Sequence, residues 1–247
     1  MKKNLPAIIV ILVILGMWQG IAVIINAHYI LPSPTQILAK LWLLREPLFM
    51  VHLPATMGVT ILGLFISVIF GLALAIVMDL NENIENALYP IIIASQTIPT
   101  TAIAPLFVLW FGYSIWGKVL VTILITFFPI TISVYDGFKS TKREMEELLI
   151  TYGASKMDIF IKLKIPTALP AFFSAIKMAV PLSIIGAAIA EWLGAQSGLG
   201  YFSKRMMSQL DGAGVFAPIV LLSIAAMIIV AIINIIEKRM TKWRKEI

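Results

Sequence analysis

Residues 86–135, NALYPIIIASQTIPTTAIAPLFVLWFGYSIWGKVLVTILITFFPITISVY, form an apolar stretch in which Lys118 is the one charged side chain. A transmembrane helix needs about 20 apolar residues, so this stretch is too long for a single span. A lysine at the centre of the bilayer would cost roughly 2.5–3.5 kcal/mol. We therefore predict that Lys118 lies in a hairpin between two membrane spans, at residues 87–110 and 119–135.

Stretches of similar character lie on both sides of this hairpin. Four further segments are long enough to span a bilayer and contain at most one charged residue: 5–27, 57–78, 169–190 and 212–236. The chain of 247 residues is 60% apolar and 13% charged, with a mean hydropathy of +0.97 and no cysteine. Soluble domains contain about 25% charged residues, and disulfide-stapled modules need cysteines. The composition excludes both, as well as a disordered chain, and predicts an all-α integral membrane protein with six transmembrane helices.

The first of these segments begins like a secretory signal peptide, because Lys2 and Lys3 precede it. The apolar part of a signal peptide is usually about 7–15 residues long, and residues 5–27 exceed that length. We therefore expect a retained helix, with cleavage as the alternative.

Lysine and arginine are distributed unevenly between the two predicted sides of the membrane. With six spans, both termini and residues 136–166 lie on one side, which holds 13 of the 19 Lys and Arg residues. The opposite side holds five. Because positively charged loops stay in the cytoplasm, we predict that both termini are cytoplasmic. Residues 79–85 disagree, since this predicted cytoplasmic loop is acidic and lacks Lys and Arg, but acidic residues count little in the rule.

The predicted spans divide the chain into four parts. We expect the N-terminal transmembrane helix within residues 1–30 and an outer loop with a short helix at residues 31–56. Residues 57–236 are expected to form a five-helix core that includes the cytoplasmic segment 136–166. Residues 237–247 are expected to form a basic cytoplasmic tail.

The third predicted span contains several groups that interrupt a helix. Pro90, Pro99 and Pro105 each remove a backbone donor, and such breaks are tolerated in a bilayer only away from lipid. Either nearby hydroxyl groups repair the kink, or the kinked helix lines a solute path. Glu191, at the outer end of the fifth span, is a further candidate because intramembrane carboxylates are commonly functional. The other candidate path residues are Ser95, Gln96, Thr97, Thr100 and Thr101.

Residues 136–166, which we call the elbow, have the pattern of two short amphipathic helices joined at a bend. The apolar face of the first helix is formed by Met145, Leu148, Leu149 and Tyr152. Gly153 follows, where a left-handed helix end favours glycine. Ser155 and Asp158 have the spacing of a capping box that starts the second helix. Pro166 is expected to end that second helix.

The apolar faces of the elbow need a partner that water does not provide. One interpretation is that both helices lie on the surface of the lipid bilayer. The other is that the elbow protrudes and docks, helix in groove, on a cytoplasmic protein. The periodicity of the residues is compatible with both interpretations.

The elbow resembles the signature loop of the binding-protein-dependent permeases of ABC importers. That signature reads Glu-Ala-Ala, three residues, Gly, nine residues, Ile-x-Leu-Pro. Glu147, Gly153 and Pro166 stand at these spacings, whereas both alanines are leucine here and residues 163–165 read Leu-Lys-Ile. Other stretches, within residues 30–236, are similar to the branch of the family that handles sulfonates, taurine, nitrate and pyrimidine precursors. They are LPSPT (31–35), IPTTAIAPL (98–106), LWFG (109–112), YGAS (152–155) and GLG (198–200).

The resemblance implies a type I ABC importer (MetI-like) transmembrane fold, with residues 57–236 as its ABC transmembrane type-1 core. The chain would be a permease that forms the path for an alkanesulfonate, taurine or nitrate-like anion, or for a thiamine-precursor pyrimidine. It would act as a homodimer in the cell membrane of a prokaryote, with an extracytoplasmic solute-binding protein and two copies of an ABC ATP-binding subunit. ATP and Mg would bind to that subunit, and this chain would be neither an enzyme nor a cofactor carrier. The elbow residues implied to couple to the ATPase are Met145, Glu147, Leu148, Leu149, Tyr152, Gly153, Ala154, Ser155 and Pro166.

Other functions are weaker interpretations of the same residues. An ion-coupled secondary transporter or channel acting alone needs charged groups near the midplane, for which Glu191 and Lys177 are the candidates. An intramembrane hydrolase needs a Ser–His pair or clustered carboxylates, but the two histidines both fall in one outer loop. Residues 112–118, GYSIWGK, resemble a phosphate-binding loop, but Val119 replaces its Ser or Thr. We expect no metal site, no nucleotide site and no nucleic-acid partner in this chain.

Overall fold

The computed structural model describes residues 5–242, and in that range the chain forms ten helices and no strand. The first, α1, spans Leu5–Ile25 and the last, α10, spans Gly212–Met240. The helices between them are α2 Pro34–Leu43, α3 Arg45–Leu80, α4 Glu82–Ser95, α5 Thr100–Phe111, α6 Ile115–Lys139, α7 Arg143–Thr151, α8 Lys156–Leu193 and α9 Leu199–Ser208.

Five of these helices, α1, α3, α6, α8 and α10, are long and apolar enough to cross a membrane. The pair α4 and α5 adds a sixth span if both halves cross together. The prediction of an all-α fold with six spans is therefore confirmed, with one span bent. Two spans are much longer than expected, since α3 contains 36 residues and α8 contains 38.

The prediction of a single helix for the third span, residues 87–110, was wrong. α4 ends at Ser95, α5 begins at Thr100, and their axes differ by 93°. The break lies at Pro99, which lacks a backbone donor and disfavours helical geometry in the residue before it. Pro99 itself has an extended ψ of 111°. Pro90 and Pro105, in contrast, lie inside α4 and α5.

The expectation that Pro166 ends a helix was also wrong. α8 continues through Pro166, and the helix contains a π turn at Phe160–Lys164 immediately before it. In a π turn each N–H bonds to the carbonyl five residues earlier, and here Ile165 N–H bonds to Phe160 O. The wider turn accommodates the proline ring without a break. α3 repeats the arrangement, with a π turn at Leu48–His52 that precedes Leu53 and Pro54.

The centre of the bundle consists of α6 packed between α3 and α8. The helices approach closely where glycine faces a small side chain, because a Cβ on Gly63 would lie 2.6 Å from the Thr122 methyl group. Close approach at small residues is the usual basis of helix association in membranes. α1 is almost entirely exposed. It contacts the other helices where Gln19 donates a hydrogen bond to Thr35 of α2 and where the Trp18 ring packs near the Phe216 ring of α10.

Candidate coupling segment and translocation path

The elbow bends at Gly153, as the sequence predicted. Its φ of +81° lies in the left-handed region that favours glycine. Two backbone bonds close the end of α7: Gly153 N–H donates to Ile150 O at 2.9 Å, and Ala154 N–H donates to Leu149 O at 3.0 Å. This is the bond pattern of a Schellman motif, which fixes the direction in which the chain leaves α7.

The capping box at the start of α8 is also confirmed. Asp158 N–H donates to Ser155 Oγ at 3.1 Å, and Ser155 N–H donates to the Asp158 carboxylate at 3.2 Å. Lys162 adds an ion pair to Asp158 at 2.6 Å. Two local motifs therefore position the chain on either side of the bend, with Ala154 alone between Gly153 and Ser155.

The apolar face of α7 is largely exposed within residues 5–242, and of its four residues Leu149 is half-buried. No residue of α7 is buried, and the Tyr152 side chain that follows it is among the most exposed, at 81%. Met145 and Leu148 are about half exposed, at 47% and 49%. The polar face contains Glu147, paired with Arg143 at 2.9 Å. The structure thus presents most of the predicted stripe on an exposed face of α7.

Both ends of the elbow are joined by ion pairs to residues 79–85, where α3 ends and α4 begins. Lys139, before α7, meets Glu85 at 2.7 Å. Lys164, after α7, contacts both carboxylate oxygens of Asp79, at 3.0 and 3.1 Å. The acidic residues 79–85, which disagreed with the charge rule, therefore lie at the same end of the bundle as the basic elbow. The acidic character of residues 79–85 was visible in the sequence, but the sequence did not indicate which lysines these residues contact.

The polar residues around the bend between α4 and α5 divide into two groups. Ser95 and Thr97 donate hydrogen bonds to the carbonyls of Ile92 and Ala94, both at 2.7 Å, and so satisfy the interrupted helix. Gln96 and Thr100, together with Ser95, line a cleft of about 240 Å³ against α6. Thr101 is exposed at the start of α5. Some polar side chains of this cluster therefore satisfy the backbone at the kink, and others line a cleft.

Glu191 does not belong to that cleft. Its side chain is 1% exposed and lies between α3, α8 and the start of α9. Its carboxylate accepts hydrogen bonds from Thr56 Oγ1 at 3.1 Å and from Gly200 N–H at 2.8 Å. Leu199 N–H donates to Thr56 Oγ1 at 2.7 Å, and Gly198 N–H donates to His52 Nδ1 at 3.1 Å.

These bonds satisfy backbone donors at the start of α9, which have no partner within their own helix. The structure therefore places Glu191 as an anchor for α9, with Thr56 and His52 as partners that the sequence did not identify. The sequence placed His52 in an outer loop, whereas in the structure it is buried and lies in the π turn of α3.

Residues 67–242 match the family described as the inner membrane component of binding-protein-dependent transport systems. The chain belongs to this family. Its resemblance to the permeases of ABC importers is thereby confirmed, and the protein is an ABC importer permease, a multi-pass membrane protein. This assignment decides against an ion-coupled transporter or channel acting alone.

Three relatives show which permeases this chain is similar to. The formylaminopyrimidine transport permease ThiX of Halalkalibacterium halodurans is 50% identical over the full length of both chains. The riboflavin permease RibX of Chloroflexus aurantiacus is 30% identical over 95% of this chain and 88% of its own. The taurine permease TauC of Escherichia coli is 28% identical, with the same two coverages.

The permease fold is similar to that of a solved ABC importer. A chain of the MetNI methionine transporter, in an inward-facing conformation, superposes with a TM-score of 0.65 at 18% sequence identity. The match covers 83% of this chain and 97% of the MetNI chain. The expected type I, MetI-like fold is therefore confirmed.

Proposed function

We propose that this permease imports a neutral pyrimidine of the formylaminopyrimidine class. The observation that favours this substrate is the 50% identity to ThiX over the full length of both chains, against 28% to the taurine permease. The chemistry of the cleft at the bend agrees, because no residue that lines it is charged. Hydroxyl and carboxamide groups both donate and accept hydrogen bonds, which suits a neutral heterocycle better than nitrate or a sulfonate.

The elbow is the part of the permease that contacts the ATP-binding subunit in this proposal. Met145, Leu148 and Tyr152 would fill an apolar groove of that subunit, in the helix-in-groove mode of recognition. Glu147 would lie at the polar edge, and Gly153 would keep the bend. Leu149, Ala154, Ser155 and Pro166 would hold the shape of the elbow. The apolar face of α7 is largely exposed within the described chain and so is free to contact a partner. Membership of the permease family supports docking on the ATP-binding subunit over a position flat on lipid.

The complete transporter would contain two copies of this permease, two ATP-binding subunits with their ATP and Mg, and an extracytoplasmic solute-binding protein. Both termini and the elbow would face the cytoplasm of a prokaryotic cell. Closure of the ATP-binding subunits on ATP would draw the two elbows together and open the path outward. Hydrolysis and release would return the permease to its inward-facing state.

Uptake by the reconstituted transporter tests the substrate. Proteoliposomes that contain the permease, its ATP-binding subunit and its solute-binding protein are expected to accumulate a radiolabelled formylaminopyrimidine only when ATP is present inside. Unlabelled formylaminopyrimidine should compete, whereas a large excess of taurine or nitrate should not. Uptake of labelled taurine or nitrate in preference to the pyrimidine would contradict the proposal.

Replacement of Gln96 tests the path. Gln96→Ala is expected to lower the uptake rate by a few-fold to about tenfold, because one hydrogen bond to a neutral group contributes roughly 0.5–1.5 kcal/mol. The matched control is Gln209→Ala, at an exposed glutamine after α9, which should keep the wild-type rate. Equal rates for the two variants would remove Gln96 from the path.

A further inference from the structure

We propose that Lys164 is a positioning residue that transmits movement of the elbow to the turn between α3 and α4, and thereby to the bent pair α4–α5. This inference rests on the proposed coupling function of the elbow. Lys164 is not among the residues that the family resemblance assigns to coupling. Its role follows from what its ammonium group contacts.

The contacts of Lys164 connect three separate elements. Its Nζ lies 3.0 Å from Asp79 Oδ1, at the end of α3, and 3.6 Å from Glu146 Oε1, on α7. The Asp79 side chain is 1% exposed and that of Lys164 is 17% exposed. An ion pair with so little solvent exposure is screened far less than a surface pair. We call Glu146, Lys164 and Asp79 the ionic bridge.

The ionic bridge lies at the edge of a cleft, beside the buried side chain of Phe160. A cleft of about 610 Å³ separates the elbow from the turn between α3 and α4, and all three bridge residues line it. Phe160 packs the start of α8 on the core, whereas across the cleft the charged groups provide the direct link between α7, through Glu146, and Asp79. Asn81 caps α4 by accepting from Ile84 N–H, so a displacement of Asp79 reaches the first turn of α4 within three residues.

A second ion pair also connects the elbow to residues 79–85. Glu85, in the first turns of α4, contacts Lys139 at the end of α6. The chain that enters the elbow and the chain that leaves it are therefore both tied to the same turn. A movement of α7 against the bundle would carry residues 79–85 with it. At the far end of α4 lies the bend that contains Gln96 and Thr100.

The π turn at Phe160–Lys164 contains a lysine that serves as a control. Lys162 belongs to the same turn, but its side chain is 73% exposed and it pairs only with Asp158, four residues away on α8. The pair Lys162–Asp158 therefore has the same chemistry as Lys164–Asp79 without a link to another helix. If the Lys164–Asp79 pair served only to balance charge, its removal would have the same effect as removal of the Lys162–Asp158 pair.

Neutralising both members of each pair tests the inference without leaving Asp79 as an unpaired buried charge, which would be costly. Glu146, the third member of the ionic bridge, loses its partner but is 30% exposed. The double variant Asp79→Asn with Lys164→Gln is compared with Asp158→Asn with Lys162→Gln, each in the complete transporter. Because the sequence contains no cysteine, Thr97→Cys in each background reports the bend through its labelling rate with a water-soluble maleimide. Co-purification of the ATP-binding subunit and uptake per ATP hydrolysed are measured in parallel.

The expected result is that both double variants bind the ATP-binding subunit, but only the Asp79–Lys164 variant loses transmission. Its uptake per ATP should fall roughly 2- to 30-fold, the range seen along coupling networks, and trapping with ATP and vanadate should no longer change labelling at position 97. Equal behaviour of the two double variants would overturn the inference. Loss of ATPase binding in the Asp79–Lys164 variant would also overturn it, because Lys164 would then stabilise the elbow. A wild-type chain that binds no ATP-binding subunit would instead contradict the proposed function.

Discussion

The substitution Leu148→Asp is expected to abolish ATP-driven uptake while the permease remains folded in the membrane. Leu148 is 49% exposed and lies at the centre of the apolar stripe on α7, so a polar side chain there disturbs little within the chain itself. In the groove of the ATP-binding subunit, however, an aspartate would be buried without a partner. Loss of a central interface residue typically costs about 2 kcal/mol or more, which corresponds to a fall in affinity of at least ~30-fold. Co-purification of the two subunits measures it directly.

Ile150→Asp is the matched control for this substitution. Ile150 lies on the same helix and is 59% exposed, but two residues along a helix point about 200° away from Leu148. The same charge on that face should leave ATPase binding close to the wild-type level. Ile150 also lines the cleft of the ionic bridge, so the two variants are compared by subunit binding and not by uptake. If both variants bound the ATP-binding subunit as well as wild type, the apolar stripe would not be the docking face. If both variants failed to bind the ATP-binding subunit, the added charge and not its position on α7 would explain the loss of binding.

The bend of the elbow was predictable because each of its signals is local. The apolar positions repeat with the helical period, Gly153 stands where a left-handed residue is needed, and Ser155 with Asp158 closes a capping box. All three signals act within a few residues, so the surrounding fold does not alter them. The family signature added a function to this bend, but the bend itself follows from the residues alone.

Proline positions were not predictable in the same way, because the preceding turn decides the outcome. Before Pro99 the backbone tightens to bonds over three residues, such as Ile98 N–H to Ser95 O at 3.3 Å, and the helix stops. Before Pro166 the helix widens into a π turn and continues. Both prolines remove the same donor. Packing of the following helix against its neighbours, α8 against α6 in particular, is a tertiary property that a local reading of sequence does not contain.

Long-range polar partners were the other part that the sequence did not reveal. The acidic character of residues 79–85 was visible, but Asp79 and Lys164 are 85 positions apart. Glu191 and Thr56 are 135 positions apart. A charge pattern shows that a residue needs a partner, and only the arrangement of the helices determines which residue provides it.

The substitution Gly198→Ala is expected to prevent normal folding of the outer end of the permease. Gly198 precedes α9 with a φ of +120°, a conformation that costs a residue with a Cβ about 1–3 kcal/mol. A Cβ at this position would also overlap the carboxyl group of Glu191. That group cannot move away without losing its bonds to Thr56 and Gly200. Strain and overlap together should lower the thermal unfolding temperature in detergent and the amount of permease in the membrane.

Gly58→Ala provides the comparison, because it adds the same methyl group where the structure has space. Gly58 lies within α3, and a Cβ there would meet no atom within 4 Å. Alanine is favoured over glycine in a helix by about 1 kcal/mol, so this variant should be at least as stable as wild type. The double variant Gly198→Ala with Glu191→Ala tests whether relief of the overlap alone restores stability. It removes the overlap but keeps the backbone strain and leaves Gly200 N–H without its acceptor, so it should remain unstable. If Gly198→Ala alone unfolded at the same temperature as Gly58→Ala, Glu191 would not be a fixed anchor for α9.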